Sequence, residues 1–329
     1  MSTSDGGVAA AAPPPRRPAW WIALLSRIPL PALYAFAWVL GALGFHVFRY
    51  RRDIIDRSLA IAFPGLDAAG RRAICRRHHH GFAQVFVEIL KSGALTPADI
   101  ARRVRFTNLE LLRERLAKGR PVLVVAAHQC NWEWLMHAMA SQVGYPVDAA
   151  YKPLKNKWAN DEMLTLRTRF GAHLVPAKEL LPDIIKRRRI VRVISVIADQ
   201  EPRSSEKRHW TRFLNRDTAF YMGAEEIART TGYTALFVAM RRLARGHYEV
   251  GFTPLVETGE RLEPGEFTER YARLSEAQIH AAPPDWLWSH KRWKLKKPLY
   301  GAGSLTPALR ACRRGMPRAR QSSGSRTAR

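Results

Sequence analysis

Cysteine is scarce. Three residues in 329 (Cys75, Cys130 and Cys312) are too few and too scattered for a disulfide framework or a zinc cage. Acid is scarce too: 28 Asp and Glu stand against 54 Lys and Arg, a formal net charge of +26. That excess excludes an acidic disordered protein and points to a polyanionic partner such as nucleic acid, an anionic membrane or a phosphorylated substrate. Long uncharged runs are missing except for one, which excludes a polytopic transporter. Hydrophobic residues nonetheless make up 47% of the chain, enough for one large α/β domain or two smaller ones with a full core.

The single long uncharged run is Ile28–Phe48, enough to cross a bilayer as a helix. A buried helix of the core is the competing reading. Pro29 and Pro31 fall where a helix start tolerates proline. Trp20, Trp21 and Arg27 on one side, and Tyr50, Arg51 and Arg52 on the other, resemble interfacial anchors. Basic residues flank both ends and give no orientation, so a helix lying in the membrane plane stays open. A cleavable signal peptide is not expected, because a dense Arg cluster follows with no cleavage site. Residues 1–18, rich in Ala, Pro and Gly, are expected to be disordered. Residues 19–52 are expected to anchor the protein, 53–300 to form the catalytic body, and 301–329, with seven Arg and no acid, to be a disordered basic tail.

The body alternates. Apolar spacing predicts a helix over 68–92 that carries His78, His79 and His80; neighbours on a helix diverge, so the triplet reads as a solvated face and not as a metal site. Further helices are expected over 108–118, 131–142, 159–170, 179–188, about 218–231 and 267–281. Strands are expected over 121–127, 147–151, 173–175 and 190–198, and a hairpin over 234–241 and 247–253 around Arg245-Gly246. A long polar loop is expected from Asp199 to about Thr218. Alternation of this kind implies an α/β fold, a mixed, mostly parallel sheet covered by helices on both faces.

In such sheets ligands bind beyond the carboxyl ends of the strands. His128 is the first polar residue after the apolar run Pro121–Ala127, and Glu133 sits in the first turn of the next helix. A carboxylate beside an imidazole fixes its tautomer and supports the imidazolium, which makes His128 a general base with Glu133 as partner. The competing reading is that both residues merely cap the helix. Cys130 offers a rival, covalent Cys/His mechanism. Lys186–Arg189 reads as a solvated helix end that could also grip an acidic carrier or lipid phosphates.

Several segments together resemble the lipid A biosynthesis (lauroyl/myristoyl) acyltransferase family, within the wider lysophospholipid and glycerophosphate acyltransferases: HQCNWE at 128–133, YKPLKNK with RTRFG over 151–171, ADQEP at 198–202, FLNRDTAFYMGAEEIA at 213–228 and PPDWLWSHKRWK at 283–294. The resemblance covers about residues 20–295. It implies transfer of a fatty acyl chain from the thioester of acyl-carrier protein (or CoA) to a hydroxyl of a lipid A precursor, with no cofactor or metal, on the cytoplasmic side of a bacterial inner membrane. The same chemistry on another glycolipid, an aminolipid or a polyketide-like lipid is the alternative. Acyl-carrier protein, an anionic glycolipid and the membrane are the expected partners; nucleic acid is not, since no nucleic-acid-binding signature accompanies the charge. His128, Glu133, Arg169 and Asp199 are the implied catalytic residues. The oxyanion would fall to Arg169 and to backbone amides after His128, and Asp199 would hold Arg169 or a substrate hydroxyl. Implied substrate contacts are Asn131, Lys152, Asn156, Gln200, Arg216, Gly223, Trp288, His290 and Arg292. Trp132, Trp134, Trp286, Trp288 and Trp293 either line an acyl groove or pack the core; core packing is expected for Trp132 and an interfacial role for the cluster at 286–293. The family's usual aromatic-Gly pair after the His is Gln129-Cys130 here, Lys152 replaces an Arg, its Phe-Phe-Gly is Phe213-Leu214-Asn215, and Phe220-Tyr221 replaces a small or Thr-Pro pair.

Overall fold

The structure, a computed structural model, describes residues 17–297. The expected disorder of the first sixteen residues, the end of the expected body (298–300), the basic tail and Cys312 lie outside the described residues.

Among the described residues nine strands and eleven α-helices alternate as the sequence pattern implies. A seven-stranded sheet carries β1 (Val104–Phe106), β2 (Val122–Ala126), β3 (Val147–Tyr151), β4 (His173–Pro176), β5 (Val193–Ile197), β8 (Ala235–Ala244) and β9 (His247–Val256) in the order β1-β9-β8-β2-β5-β3-β4. Every neighbour pair is parallel except β8 and β9. β2 is buried at all five positions, as a central parallel strand must be. Its side chains alternate between two cores. Leu123 and Val125 face one side with Ile194 and Val196 of β5, while Val122, Val124 and Ala126 face the other with Val193. A fully buried aliphatic side chain contributes ~1.5–3 kcal/mol, so two such cores fix the register.

The second face is covered by α5 (Pro97–Arg103), α6 (Leu109–Ala117) and α7 (Trp132–Gln142). The first is covered by α3 (Arg52–Ala62), α9 (Leu180–Lys186), α10 (Gly223–Thr231) and α11 (Glu266–Ala281). Between β3 and β4 lies α8 (Lys157–Thr168). One expectation fails in this region. The long polar loop is in part a separate antiparallel hairpin, β6 (Arg208–Phe213) and β7 (Arg216–Tyr221), and α10 starts at Gly223.

The long helix α4 (Ala68–Lys91) is capped by Asp67, whose side chain accepts the Gly70 N–H. It does not present its histidines to solvent. His78 and His79 are buried, against the carbonyls of Pro284 and of Cys75 and Tyr50, and His80 stacks on Trp38. The reason is that α4 is covered on a second side by the N-terminal segment. That segment forms α1 (Trp20–Arg27), then α2 (Leu30–Ala42) running on as a π-helical turn through Val47. Pro29 caps α2 and Pro31 falls in its first turn. Leu30, Leu33, Tyr34 and Ala37 pack on Ala83 and Val87 of α4. Glu88 of α4, fully buried, accepts from Tyr34 Oη, Asn131 Nδ2 and Tyr248 Oη at 2.9, 2.7 and 2.6 Å, which ties α2 to the start of α7 and to β9. At the β8–β9 turn Gly246 has φ +68°, and a Cβ there would meet Tyr34 Oη at 2.2 Å, so glycine is required twice over.

Candidate active site

Parallel β2 and β5 pair with Ala126 opposite Ile197. His128 and Asp199 lie two residues beyond these partners, so register alone brings them together at the carboxyl edge of the sheet. Asp199 Oδ1 accepts His128 Nδ1–H at 2.6 Å, and Oδ2 accepts the His128 backbone N–H at 3.0 Å. Trp286 Nε1–H donates to the same Oδ2 at 2.7 Å. Burial alone would raise the Asp199 carboxyl; the histidine charge and these donors outweigh it and bring it down to about 2. An ionised carboxylate only accepts, so Nδ1 carries a proton, and in the neutral ring Nε2 is the nitrogen with the free lone pair. Gln200 Nε2 lies 3.3 Å from that nitrogen, and Trp132 stands edge-on to the ring with centroids 5.0 Å apart.

The turn after His128 is clamped by the segment 283–288. Cys130 N–H donates to the Asp285 carbonyl at 2.9 Å and Leu287 N–H to the His128 carbonyl at 3.0 Å. Cys130 takes φ +55°, a left-handed conformation that explains a glycine at this place in the resembling family. Its thiol is buried against the Met240 carbonyl, and burial pushes its pKa well up. A buried, protonated thiol is no nucleophile, and the covalent Cys/His mechanism loses its support.

Glu133 does not reach His128. Its carboxylate takes two hydrogen bonds from Arg167 of α8, at 2.8 and 2.5 Å, and is almost wholly buried. Arg169 also lies elsewhere, donating to the Leu95 carbonyl at 3.1 Å, so Asp199 holds His128 and not Arg169. Two positions apart on a helix means about 200° of rotation, so Arg167 and Arg169 cannot serve one site. The first backbone amides after His128 are also engaged, Gln129 N–H with Ala127 and Cys130 N–H with Asp285.

The remaining expected residues divide. Asn131 is the buried N-cap of α7, accepting Trp134 N–H at 2.9 Å, and Asn156 caps α8 through Ala159 N–H at 2.9 Å. Trp288 is a core residue whose indole donates to the Pro283 carbonyl. Trp286 and Trp288 thus pack in the core with Trp293 partly buried against them, whereas Trp132, expected in the core, is only partly buried beside His128. Gly223 opens α10 with the Tyr221 ring against it, and Arg216 lies over the Trp293 ring at 5.0 Å. Lys152 is exposed just past β3. His290 is close enough to feel the charges of Asp199, Arg292 and His128, and burial lowers its pKa to about 4. Arg292 is fully buried over the Phe220 ring at 4.7 Å, and burial lowers it to about 10. Of the Lys186–Arg189 run, Arg187 is not solvated but pairs with Asp148.

The segments that build this site lie within a stretch of sequence that matches a known family. The profile of the bacterial lipid A biosynthesis acyltransferases matches residues 19–295. The chain belongs to this family. It is 24% identical over 277 residues to a lipid A biosynthesis lauroyltransferase of Escherichia coli K12, covering 83% of this chain and 89% of that one. It is 22% identical over 274 residues to a palmitoleoyltransferase of lipid A biosynthesis from the same organism, covering 83% and 88%. A lipid A biosynthesis acyltransferase of Shigella flexneri matches to the same extent. Sequence reasoning missed Arg167, which holds Glu133, and it placed Trp286 among the interfacial tryptophans without its bond to the Asp199 carboxylate. Both residues lie inside the segments that carry the family resemblance.

Proposed function

We propose that the protein transfers a fatty acyl chain from acyl-carrier protein to a hydroxyl of a lipid A precursor, directly and through a ternary complex at the cytoplasmic face of the inner membrane. The observation that carries the mechanism is the His128–Asp199 hydrogen bond at 2.6 Å, with Nε2 of the same ring turned to the exposed side where Gln200 lies. In this reading Nε2 removes the proton of the acceptor hydroxyl as oxygen attacks the thioester carbonyl. The C–S bond breaks and the imidazolium returns the proton to the departing thiolate. Asp199 supports the imidazolium, and general-base help of this kind is worth ~10²–10⁴-fold. The Gln200 amide, 3.3 Å from Nε2, is placed to hydrogen-bond the reacting oxygens. The net charge of +26 supports an anionic acceptor and an acidic carrier, and the exposed apolar helix α2 supports a membrane setting.

The test is purified full-length enzyme with acyl-carrier-protein thioester and a phosphorylated lipid A precursor, read by product mass. Transfer lost in His128→Ala with the fold intact supports the reading; turnover unchanged by that substitution overturns it. Lipid mass spectrometry of a deletion strain, in which a lipid A species should lose one acyl chain, separates lipid A from other acceptors.

A further inference from the structure

We propose that the protein lies on an anionic bilayer through a platform formed by α1, α2 and the start of α8, and that α2 lies in the membrane plane without crossing it. This rests on the membrane setting proposed above and specifies its geometry. The stretch Leu30–Val47 is long and apolar enough to span a membrane, but a third of it is buried inside the protein. The burial runs its whole length along α4. Leu33, Tyr34 and Ala37 pack at one end, Gly41 is so close that a Cβ would lie 2.6 Å from His80 Nδ1, and Phe45 meets the His79 ring at 5.5 Å. Lys91 Nζ ties down the Ile28 carbonyl at 2.9 Å. To cross, α2 would have to leave α4 and uncover the buried Glu88, or carry α4 with Arg71, Arg72, Arg76 and Arg77 into hydrocarbon. Either is strongly unfavourable.

The side of α2 turned away from α4 is apolar and open: Phe36 is 56% exposed and Val39 46%, with Trp38 at its flank beside His80 and Phe48 just past the π-helical turn also exposed. The surface continues over Trp20 and Leu24 of α1. From there Trp21 stacks on Trp158 of α8 with centroids 5.6 Å apart, which adds the exposed Trp158 and Leu154. Exposed cations rim it, Arg27, Arg49 and Arg51 beside α2 and Lys155 and Lys157 beside Leu154. Apolar side chains bordered by cations fit the headgroup boundary of an anionic leaflet. The Lys152–Trp158 segment follows β3, a parallel neighbour of β5, so this part of the platform emerges from the sheet edge that carries His128 and Asp199. A lipid acceptor can then reach Nε2 with its chains still in the bilayer.

The topology test uses the full chain with Cys312→Ser; Cys75 and Cys130 are buried. One exposed cysteine is introduced at Arg17 or Lys118, and intact bacterial spheroplasts receive a membrane-impermeant maleimide. The platform predicts that neither cysteine reacts until lysis. An Arg17 cysteine labelled in intact spheroplasts, with Lys118 protected, would overturn the in-plane geometry while leaving membrane association standing. Recovery of the protein in the soluble fraction would remove the membrane reading itself, and this proposal with it. Trp158→Glu should weaken flotation of the purified protein with phosphatidylglycerol/phosphatidylethanolamine vesicles at least ~10-fold. Lys155→Glu with Lys157→Glu, which leaves the Trp21 stack alone, should weaken it several-fold and abolish its sensitivity to phosphatidylglycerol content. Binding unchanged in both variants excludes α8 from the platform.

Discussion

Asp199→Asn separates the two carboxylates that could support His128. Asp199 is surrounded by donors only: His128 Nδ1–H on Oδ1, and the His128 backbone N–H with Trp286 Nε1–H on Oδ2. An asparagine brings one oxygen and one NH₂. Its oxygen is best placed toward the two donors at Oδ2, which turns the NH₂ toward Nδ1. That ring nitrogen must then accept, so the proton moves to Nε2, the atom meant to act as base. The loss combines a wrong tautomer with a missing counter-charge for the imidazolium, and kcat should fall by ~10³–10⁴, about 4–5.5 kcal/mol of barrier. Glu133→Gln leaves His128 untouched and weakens the buried pair with Arg167. It should destabilise the protein by a few kcal/mol and reduce transfer far less than Asp199→Asn in the fraction that stays folded. Single-turnover acyl transfer, with folding checked by circular dichroism and the tautomer read by ¹⁵N NMR of the histidines, decides the matter. A folded Glu133→Gln that is dead beside an Asp199→Asn of near-normal turnover would refute this assignment and return the dyad to His128 and Glu133.

His128→Ala should cost at least ~10²-fold in kcat, and its combination with Asp199→Asn should cost no more, because the two act as one unit; a double-mutant cycle measures this. Cys130→Ser should keep most activity, since direct transfer uses no thiol, and the native thiol should react with maleimide only on unfolding. Glu88→Ala should cost about 3 kcal/mol in urea unfolding, because it leaves Tyr34, Tyr248 and Asn131 donors without their buried acceptor. His78 and His137 are held near pH 4 by burial, so the unfolded chain takes up protons below about 6.5 that the folded chain does not. Stability is therefore full only about a unit above pH 6.5 and falls as pH drops toward 4, by about 1.5 kcal/mol per histidine between pH 6.5 and 5, and His137→Gln should flatten that slope.

What depends on nearest neighbours in the chain was legible. The apolar run before His128 reads as a buried strand, and α7 follows with Asn131 as its cap, because strand patterning and capping are local. The β6–β7 hairpin was not legible. Leu214 and Asn215 both take left-handed φ, at 49° and 61°, as a two-residue turn with primed geometry needs. A leucine at the first of these positions conceals the turn, and the flanking strands are too polar to announce themselves. Asn215, like Cys130, stands where the resembling family carries glycine, and both keep the backbone that glycine would adopt. These two departures preserve local geometry. The buried histidines of α4 were missed for another reason: the helix spacing was right, but nothing local to residues 78–80 says that α2 returns to cover them.

The identity of the carboxylate partner depends on strand order. Spacing favoured Glu133, five residues from His128, over Asp199, seventy-one away. In three dimensions the order of distances reverses. Trp132 begins α7 and its ring takes the place beside the imidazole; one residue further along the helix is a rotation of about 100°, which turns Glu133 away toward α8 and Arg167. The β2–β5 register sets His128 and Asp199 opposite one another through five consecutive paired residues before them. A one-residue slip of β5 against β2 would exchange the side chains that β5 presents to the two cores, so the same apolar packing that stabilises the sheet also fixes the His128–Asp199 hydrogen bond. The second strand end, Ala198-Asp199-Gln200, supplies two functions in adjacent positions. In the proposed mechanism Asp199 faces the ring nitrogen that keeps its proton, and Gln200 the nitrogen that takes one. Alternation along an extended chain is what allows one strand to serve both sides of one imidazole.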